Sequence, residues 1–251
     1  MSATDLQSQL NDPRREIELD YAENVRDLGG YTNRDGQETR WRQFVRAGDM
    51  DKLSADDQGS LLEYPLACVI DLRMEKEYRA AANVFADGTQ LRFHHHDFWG
   101  TRFDHYRSRN KGASGPRKLA DLYCSGLVES GFVMGAIFAT FAEPDLHGYA
   151  FHCRSGKDRT GLVAALLLAL ADVPADTIAA DFALTANYLK GEVHVLPDQP
   201  GAYLRECRAE TMHYTLEFIA NEYDGVRGYL RANGVSEAQM VDVRNKLIAA
   251  G

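Results

Sequence analysis

The sequence predicts an α/β fold with a central mixed sheet, helices packed on it and a helical C-terminal part. Strand-like apolar runs alternate with helical patterns up to about residue 171, and helical patterns alone follow. Hydrophobic residues make up 45% and charged residues 26% of the 251 residues, as in ordinary globular domains. A chain of this length buries enough surface for one sizeable core, so we expect a single domain over 21–251 that needs no cofactor, metal or disulfide for stability.

The N-terminal region is predicted to contain an arm and a turn. Residues 1–20 carry many charges and few apolar positions, which is typical of a frayed or docking arm. Asp35-Gly36 lies between two short β-like segments and indicates a hairpin turn, because these residues tolerate positive φ.

The remaining elements follow from hydrophobic periodicity. Strands are predicted at 43–46, 66–72, 91–95 and 149–153. Helices are predicted at 54–63, 117–142, 160–171, 175–189, 203–222 and 236–248.

One stretch, 97–118, lacks clear periodicity and carries four Arg and two Lys against two Asp. Two interpretations stay open. It is a mobile surface insertion, as long loops often are, or a basic lid over an anionic ligand.

Net charge and cysteine content restrict the class of partner and the compartment. The formal net charge of −9 excludes a generally basic nucleic-acid binder. Four cysteines lie far apart, which predicts free thiols and a reducing, cytoplasmic setting, although export without a leader would leave no trace. The longest apolar run, Leu162 to Ala171, has ten residues against the roughly 20 of a spanning helix, so no stable membrane insertion is expected.

The segment Phe151 to Gly161 carries the chemistry, because it places a cysteine after a strand and an arginine at the start of a helix. A loop of this kind turns backbone N–H groups inward, and the helix N-terminus adds partial positive charge, so the loop forms an oxyanion cradle. Arg159 would close the cradle as a bidentate fork on phosphoryl oxygens. The predicted phosphate-binding residues are Arg154, Ser155, Gly156, Lys157, Asp158 and Arg159.

Three residues around the loop are given roles in this interpretation. Cys153 is the predicted nucleophile, since a cationic cradle favours the thiolate. Thr160 would donate its hydroxyl to the sulfur and help it leave. His152 is predicted to orient the loop rather than to act as a base.

The loop and its flanks resemble a known family. Residues 152–161 read HCRSGKDRTG and are similar to the HCxxGKDRTG loop of the bacterial tyrosine/serine phosphatases, atypical members of the cysteine-dependent protein tyrosine phosphatase superfamily. The segments NVRDLGG (24–30) and DLR (71–73) with Glu77 also match family elements. The resemblance implies a protein tyrosine phosphatase-like fold, Cys153 as nucleophile, Arg159 as phosphate clamp and a phosphocysteine intermediate hydrolysed by water without metal.

The acid that protonates the leaving group stays open between two aspartates. Asp158 lies inside the loop, as in the family, although its cationic neighbours favour the carboxylate. Asp97 falls where the family has an aspartate after the corresponding strand. Asp121 lies about thirty residues before the cysteine, as the acid of classical relatives does, but within a predicted helix.

The expected substrate is a phosphorylated protein or a phosphoinositide, with inorganic phosphate as the product. Phosphotyrosine is the first expectation, followed by phosphoserine or phosphothreonine. Lys157 either meets a second phosphate, as in phosphoinositide phosphatases, or is a solvated rim charge. The loop residues Arg154, Lys157, Asp158 and Arg159 carry a net +2 within a protein of −9, which would focus the field at the site.

Two other functions fit a cysteine in an anion-binding loop. A rhodanese-like sulfurtransferase has a similar loop, but the Arg159-Thr160 pair disfavours it. A non-catalytic phospho-ligand binding module is disfavoured by the presence of both Cys153 and Arg159.

The three consecutive histidines 94–96 do not predict a metal site, because strand neighbours point to opposite faces. Asp71, Arg73, Asn24, Arg26 and Asp27 are predicted to be structural.

Overall fold

A computed structural model describes residues 3–100, 115–189 and 202–248, and within them it contains a five-stranded mixed sheet. The strand order is β1-β2-β5-β3-β4, with β1 antiparallel to β2 and the other pairs parallel. The strands are β1 (Arg26–Asp27), β2 (Phe44–Ala47), β3 (Cys68–Asp71), β4 (Arg92–His95) and β5 (Tyr149–His152).

The helices of the described residues cover both faces of the sheet and form the C-terminal part. They are α1 (Ala3–Leu10), α2 (Ala55–Glu63), α3 (Glu75–Ala80), α4 (Gly115–Glu129), α5 (Gly131–Phe141), α6 (Asp158–Leu170), α7 (Ala175–Tyr188), α8 (Ala209–Tyr223), α9 (Gly225–Ala232) and α10 (Glu237–Leu247), with a 3₁₀ turn at Ala202–Arg205. A mixed sheet with helices packed on it and a helical C-terminal part is the α/β arrangement that the sequence predicted.

The central strand β5 positions the site. All four of its residues are buried, and His152 pairs in register with Ala47 of β2 on one side and Asp71 of β3 on the other. The carboxyl ends of three parallel strands therefore meet at one edge, which is where open α/β sheets bind ligands. Helix α6 leaves this edge through the core, and eleven of its thirteen residues are buried.

Two hydrophobic clusters enclose the sheet. The larger one includes Phe44, Phe151 and Leu166, and the smaller one includes Val45, Val69 and Ala150. Neighbouring strand residues thus point into opposite clusters, as the two-residue period of a strand requires.

Some predicted elements differ from those observed. The single helix predicted over 117–142 is wrong, because α4 and α5 are separate helices bent by 75°. The first half of α5 packs against Asn233, which directly follows α9. The approach is so close that a Cβ atom on Gly135 would lie 2.0 Å from the Asn233 carbonyl oxygen. The helix predicted over 203–222 begins as α only at Ala209, and the predicted hairpin retains its turn but has only an isolated bridge between Thr32 and Glu38.

The residues predicted as an N-terminal arm pack on the body of the protein. Leu10 of α1 is buried, and so is Arg15. The Arg15 guanidinium stacks 3.9 Å from the Tyr31 ring centroid and donates to the Asp27 carbonyl oxygen at 2.8 Å. Of the stretch predicted as an insertion or lid, 101–114 lie outside the described residues.

Within the described ranges, no single helix is both long enough and apolar enough to cross a bilayer. Only α4 and α5 taken together reach such a length and composition, and they form a bent pair.

Candidate active site

The site is built on the loop between β5 and α6, residues 153–157. Cys153 directly follows β5 and is only 1% exposed. Gly156 has a φ of +67°, and a Cβ there would lie 2.6 Å from the Ala47 carbonyl oxygen. Both the left-handed backbone and the close approach to β2 therefore require glycine at the turn of the loop.

The outer side of the loop is held by hydrogen bonds to three successive carbonyl oxygens. The backbone N–H of Asp49 donates to the Arg154 oxygen at 3.0 Å. The Asn24 side chain donates to the Ser155 oxygen at 2.9 Å, and Arg46 Nη2 donates to the Gly156 oxygen at 2.8 Å. In a trans peptide the N–H points opposite to the C=O, so the following N–H groups face the concave side. This is the geometry of an anion-binding nest.

A buried ionic network, which we call the rear network, lies behind these contacts. Asp181 of α7 accepts from Arg26 Nε at 3.1 Å, from Arg46 Nη1 at 2.6 Å and from the Tyr31 hydroxyl at 2.9 Å. Burial alone would raise the pKa of Asp181, but Arg26 and Arg46 outweigh it and hold that pKa well below its usual value. Burial lowers the pKa of Arg46 to about 10, so the network stays charged at neutral pH.

Arg159 lies in the first turn of α6 and is paired with an acid from α3. Its Nη1 donates to Glu77 Oε2 at 2.6 Å and to the Leu72 carbonyl oxygen at 3.3 Å. Burial would lower the pKa of Arg159, but the neighbouring Cys153 and Glu77 raise it overall. Glu77 therefore orients the guanidinium and adds one negative charge beside the net +2 of the loop.

His152 is fully buried beneath the loop and is held in one tautomer. The Phe85 N–H donates to Asn83 Oδ1 at 2.8 Å, so the Asn83 amide N–H faces His152 Nε2, 2.7 Å away. The ring proton therefore lies on Nδ1, which is 3.2 Å from the Cys153 carbonyl oxygen. Burial lowers the pKa of His152, despite Asp71 nearby, so the buried ring is neutral.

The carboxylate of Asp158, at the first residue of α6, has a hydrogen bond and an ion-pair contact on the same oxygen. The Tyr123 hydroxyl of α4 donates to Oδ1 at 2.6 Å, and Lys157 Nζ is 3.3 Å from that oxygen. Lys157 is 3% exposed, and its ammonium also donates to the carbonyl oxygens of Leu204, in the 3₁₀ turn, and Glu206, just after it. Lys157 is thus neither a solvated rim charge nor an amine free to meet a second phosphate in this structure.

Asp97 lies close to α3 but faces backbone donors. Its Oδ2 accepts from the Glu75 N–H at 2.9 Å and its Oδ1 accepts from the Gly100 N–H at 2.6 Å. The carboxylate therefore caps the helix that carries Glu77. Asp121, on the exposed side of α4, is 3.4 Å from Arg117 one turn away.

The other predicted site residues take distinct positions. Arg154 is exposed and lines a cavity of about 450 Å³ beside the loop, together with Ser155, Asp49 and Lys52. Thr160 Oγ1 is fully buried and has no hydrogen-bond partner among the described residues, so the predicted bond to the sulfur is not formed here.

The consecutive histidines of β4 diverge as strand alternation predicts. The His94 and His96 rings stack 6.1 Å apart, whereas His95 stacks on Tyr78 with 4.6 Å between ring centroids. Within the described part of the chain, no three His, Cys, Asp or Glu side chains are placed to hold a metal ion together.

Sequence reasoning missed two contacts of the site, those of Tyr123 and Asn83. Tyr123 is one of twelve tyrosines, and Asn83 lies in an irregular segment. Neither has a local pattern that predicts contact with residues far along the chain.

Comparisons with known proteins agree with this geometry. A model of the tyrosine phosphatase family matches residues 17–249. The chain is 29% identical over 223 residues to a tyrosine-protein phosphatase of Nostoc commune, a match that covers 83% of this chain and 75% of the relative. It is also 29% identical over 237 residues to a protein named as a candidate tyrosine-protein phosphatase of Cupriavidus necator, covering 87% and 84% of the two chains.

Proposed function

The chain belongs to the tyrosine phosphatase family and is a phosphatase, and on this premise we propose that it hydrolyses phosphotyrosine in proteins through a phosphocysteine on Cys153, without a metal. The observation that carries the mechanism is that the carbonyl oxygens of Arg154, Ser155 and Gly156 all accept hydrogen bonds from the outer side of the loop. These hydrogen bonds direct the successive N–H groups toward the space above the cysteine. Donors fixed in advance stabilise the transferring phosphoryl group without reorganising.

In the first step, the Cys153 thiolate attacks phosphorus and the bond from phosphorus to the tyrosine oxygen breaks. Asp158 gives its proton to that leaving oxygen and becomes a carboxylate. In the second step, water attacks the phosphocysteine, the carboxylate takes a proton from the water, and the P–S bond breaks. The thiolate returns and inorganic phosphate leaves. Arg159 and the loop N–H groups hold the phosphoryl oxygens through both steps.

Asp158 is the proposed acid because its carboxylate is less engaged than that of Asp97. Both oxygens of Asp97 accept backbone N–H bonds. The donors to Asp158 share Oδ1, and its side chain is 28% exposed. Asp158 also follows Cys153 on the same short loop, so no separate segment has to close over the substrate.

Phosphotyrosine is favoured over smaller and multiply charged esters by two features. Cys153 is only 1% exposed, and a phosphate on a long aryl group reaches such a buried sulfur more easily than the short phosphoserine side chain does. The Lys157 ammonium is engaged by carbonyl oxygens, so it does not support a second phosphate site of the kind that phosphoinositides need.

Hydrolysis of aryl phosphates in the presence of a chelator tests the mechanism. We expect turnover with EDTA, inhibition by vanadate and loss of activity in Cys153→Ser. Cys124→Ser is the matched control, because Cys124 is a half-buried thiol on α4, and it should retain activity. Turnover that survives Cys153→Ser would exclude the phosphocysteine. A panel of phosphotyrosine, phosphoserine and phosphoinositide substrates then decides the substrate class.

The acid is identified by pH-rate profiles of Asp158→Asn and Asp97→Asn. Loss of a protonated general acid removes the fall in rate on the basic side of the profile. We expect this loss only in Asp158→Asn. The same loss in Asp97→Asn alone would assign the role to Asp97.

A further inference from the structure

Tyr123 is a buried residue of α4 whose only described polar contact is with the loop. Its hydroxyl donates to Asp158 Oδ1 at 2.6 Å, and the side chain has no exposed surface. Its ring meets Phe182 of α7 edge-on, with centroids 6.1 Å apart and planes at 85°. Packing therefore fixes the ring, and the ring fixes where the hydroxyl points.

The contact distinguishes the two oxygens of the Asp158 carboxyl. Tyr123 and Lys157 both approach Oδ1, and among the described residues no hydrogen bond is made to Oδ2. A carboxyl oxygen that accepts a hydrogen bond and faces an ammonium group is a poor place for a proton, so a proton on Asp158 resides on Oδ2. The Asp158 side chain is 28% exposed, so a substrate can approach the carboxyl group.

The tyrosine remains a donor throughout the working range of the enzyme. Burial raises the pKa of Tyr123 well above its usual value, and the charge of Asp158 raises it further. The Tyr123 hydroxyl therefore keeps its proton and does not become a second negative charge beside Asp158.

We propose that Tyr123 is a positioning residue for the phosphatase reaction, which anchors Asp158 Oδ1 so that Oδ2 is directed at the oxygen of the leaving group. This inference rests on the proposed function, in which Asp158 is the acid. Tyr123 exchanges no proton itself. In the first step the proton passes from Asp158 Oδ2 to the leaving oxygen, and in the second step Oδ2 recovers a proton from water.

The test uses the dependence of rate on the basicity of the leaving group. A general acid matters most when the leaving oxygen is strongly basic, as in phenyl phosphate, and less for 4-nitrophenyl phosphate. Tyr123→Phe removes one oxygen and keeps the ring. We expect kcat on phenyl phosphate to fall about tenfold and kcat on 4-nitrophenyl phosphate to change less than about twofold, with KM nearly unchanged.

Tyr229→Phe is the matched control for loss of a buried hydrogen bond to the same helix. The Tyr229 hydroxyl donates to the Leu127 carbonyl oxygen of α4 at 2.9 Å and does not contact Asp158. It should leave the ratio of the two rates unchanged. In an Asp158→Asn background, Tyr123→Phe should have no further effect on the ratio, since the group it positions is absent.

Several results would overturn the proposal. They are an unchanged ratio in Tyr123→Phe, an equal change in Tyr229→Phe, or a full additional effect in the Asp158→Asn background. If Tyr123→Phe does not fold, 4-aminophenylalanine at position 123 retains the ring and an N–H donor and should keep the wild-type ratio, whereas a shifted ratio there contradicts the proposal. Cys153→Ser in the same assay tests the proposed function separately, because turnover by that variant would refute the phosphocysteine whatever Tyr123 does.

Discussion

The loop at residues 153–157, together with the start of α6, has a front side and a rear side that differ in how charged groups are held. At the front lie Cys153, Asp158 and Arg159, the proposed nucleophile, acid and phosphate clamp. At the rear, Arg26 and Arg46 are fully buried and share the carboxylate of the buried Asp181. The front therefore carries groups whose loss alters the chemistry, and the rear carries groups whose loss leaves an uncompensated buried charge. We expect substitutions at the front to affect activity and those at the rear to affect stability.

Arg159→Lys should have the largest effect and tests the front. Lysine keeps the charge beside Glu77 but loses the bidentate fork, so we expect kcat/KM for an aryl phosphate to fall about 10⁴-fold. The melting temperature should stay close to that of the wild type. A large loss of melting temperature would show that the front and the rear are not separable.

Asp181→Asn should have the largest effect on stability. Two buried guanidinium groups lose their shared carboxylate, and we expect a loss of about 3–5 kcal/mol in the free energy of unfolding, measured with urea. Asp172→Asn is the control, because its ion pair with Arg244 is half exposed and should cost no more than about 0.5 kcal/mol. If both variants lost the same free energy of unfolding, the expectation that burial makes the Asp181 ion pairs more important would be wrong.

Stability should also respond to acid through the rear network. The pKa of Asp181 is held below its unfolded value of about 3.9, so its contribution is complete above that pH and is lost as pH falls toward the folded value. We expect the free energy of unfolding to decrease below about pH 4. The decrease should be smaller in Asp181→Asn, and an identical slope in both proteins would rule out Asp181 as a source.

Asn24→Ala tests the boundary between the two sides, because Asn24 holds the Ser155 carbonyl oxygen from behind. Loss of this hydrogen bond should cost about 1–2 kcal/mol of stability. The adjacent N–H group would also be less well oriented, so we expect kcat/KM to fall about threefold to tenfold. An effect on stability alone would assign Asn24 wholly to the rear.

Lys157→Met should have the smallest effect of these variants. It should not change the preference between phosphotyrosine and phosphoinositide substrates. Because the ammonium binds the Leu204 and Glu206 carbonyl oxygens, we expect phosphotyrosine and phosphoinositide hydrolysis to change by the same factor, within about twofold. A selective loss on the phosphoinositide would instead indicate that Lys157 turns toward a second phosphate when such a substrate binds.

Much of the fold follows from periodicity, and the departures have tertiary causes. The predicted strands at 43–46, 66–72, 91–95 and 149–153 overlap β2 to β5. The break between α4 and α5 was not predicted, because Glu129 and Ser130 interrupt the apolar pattern only briefly and the bend depends on the close approach of Asn233 to Gly131 and Gly135. Strand β1 and helices α1 and α3 are too short for a periodic signal.

The sequence by itself determined the front of the site, because Cys153, the turn at Gly156 and Arg159 are neighbours within seven residues and their spacing sets the loop geometry. Only the tertiary structure decided what holds that loop. Asp181 meets Arg26 across 155 residues and Asn24 meets Ser155 across 131, while Tyr123 reaches Asp158 from a helix 35 residues earlier. Local spacing constrains a short loop directly, whereas such distant contacts exist only once the sheet and its helices have packed.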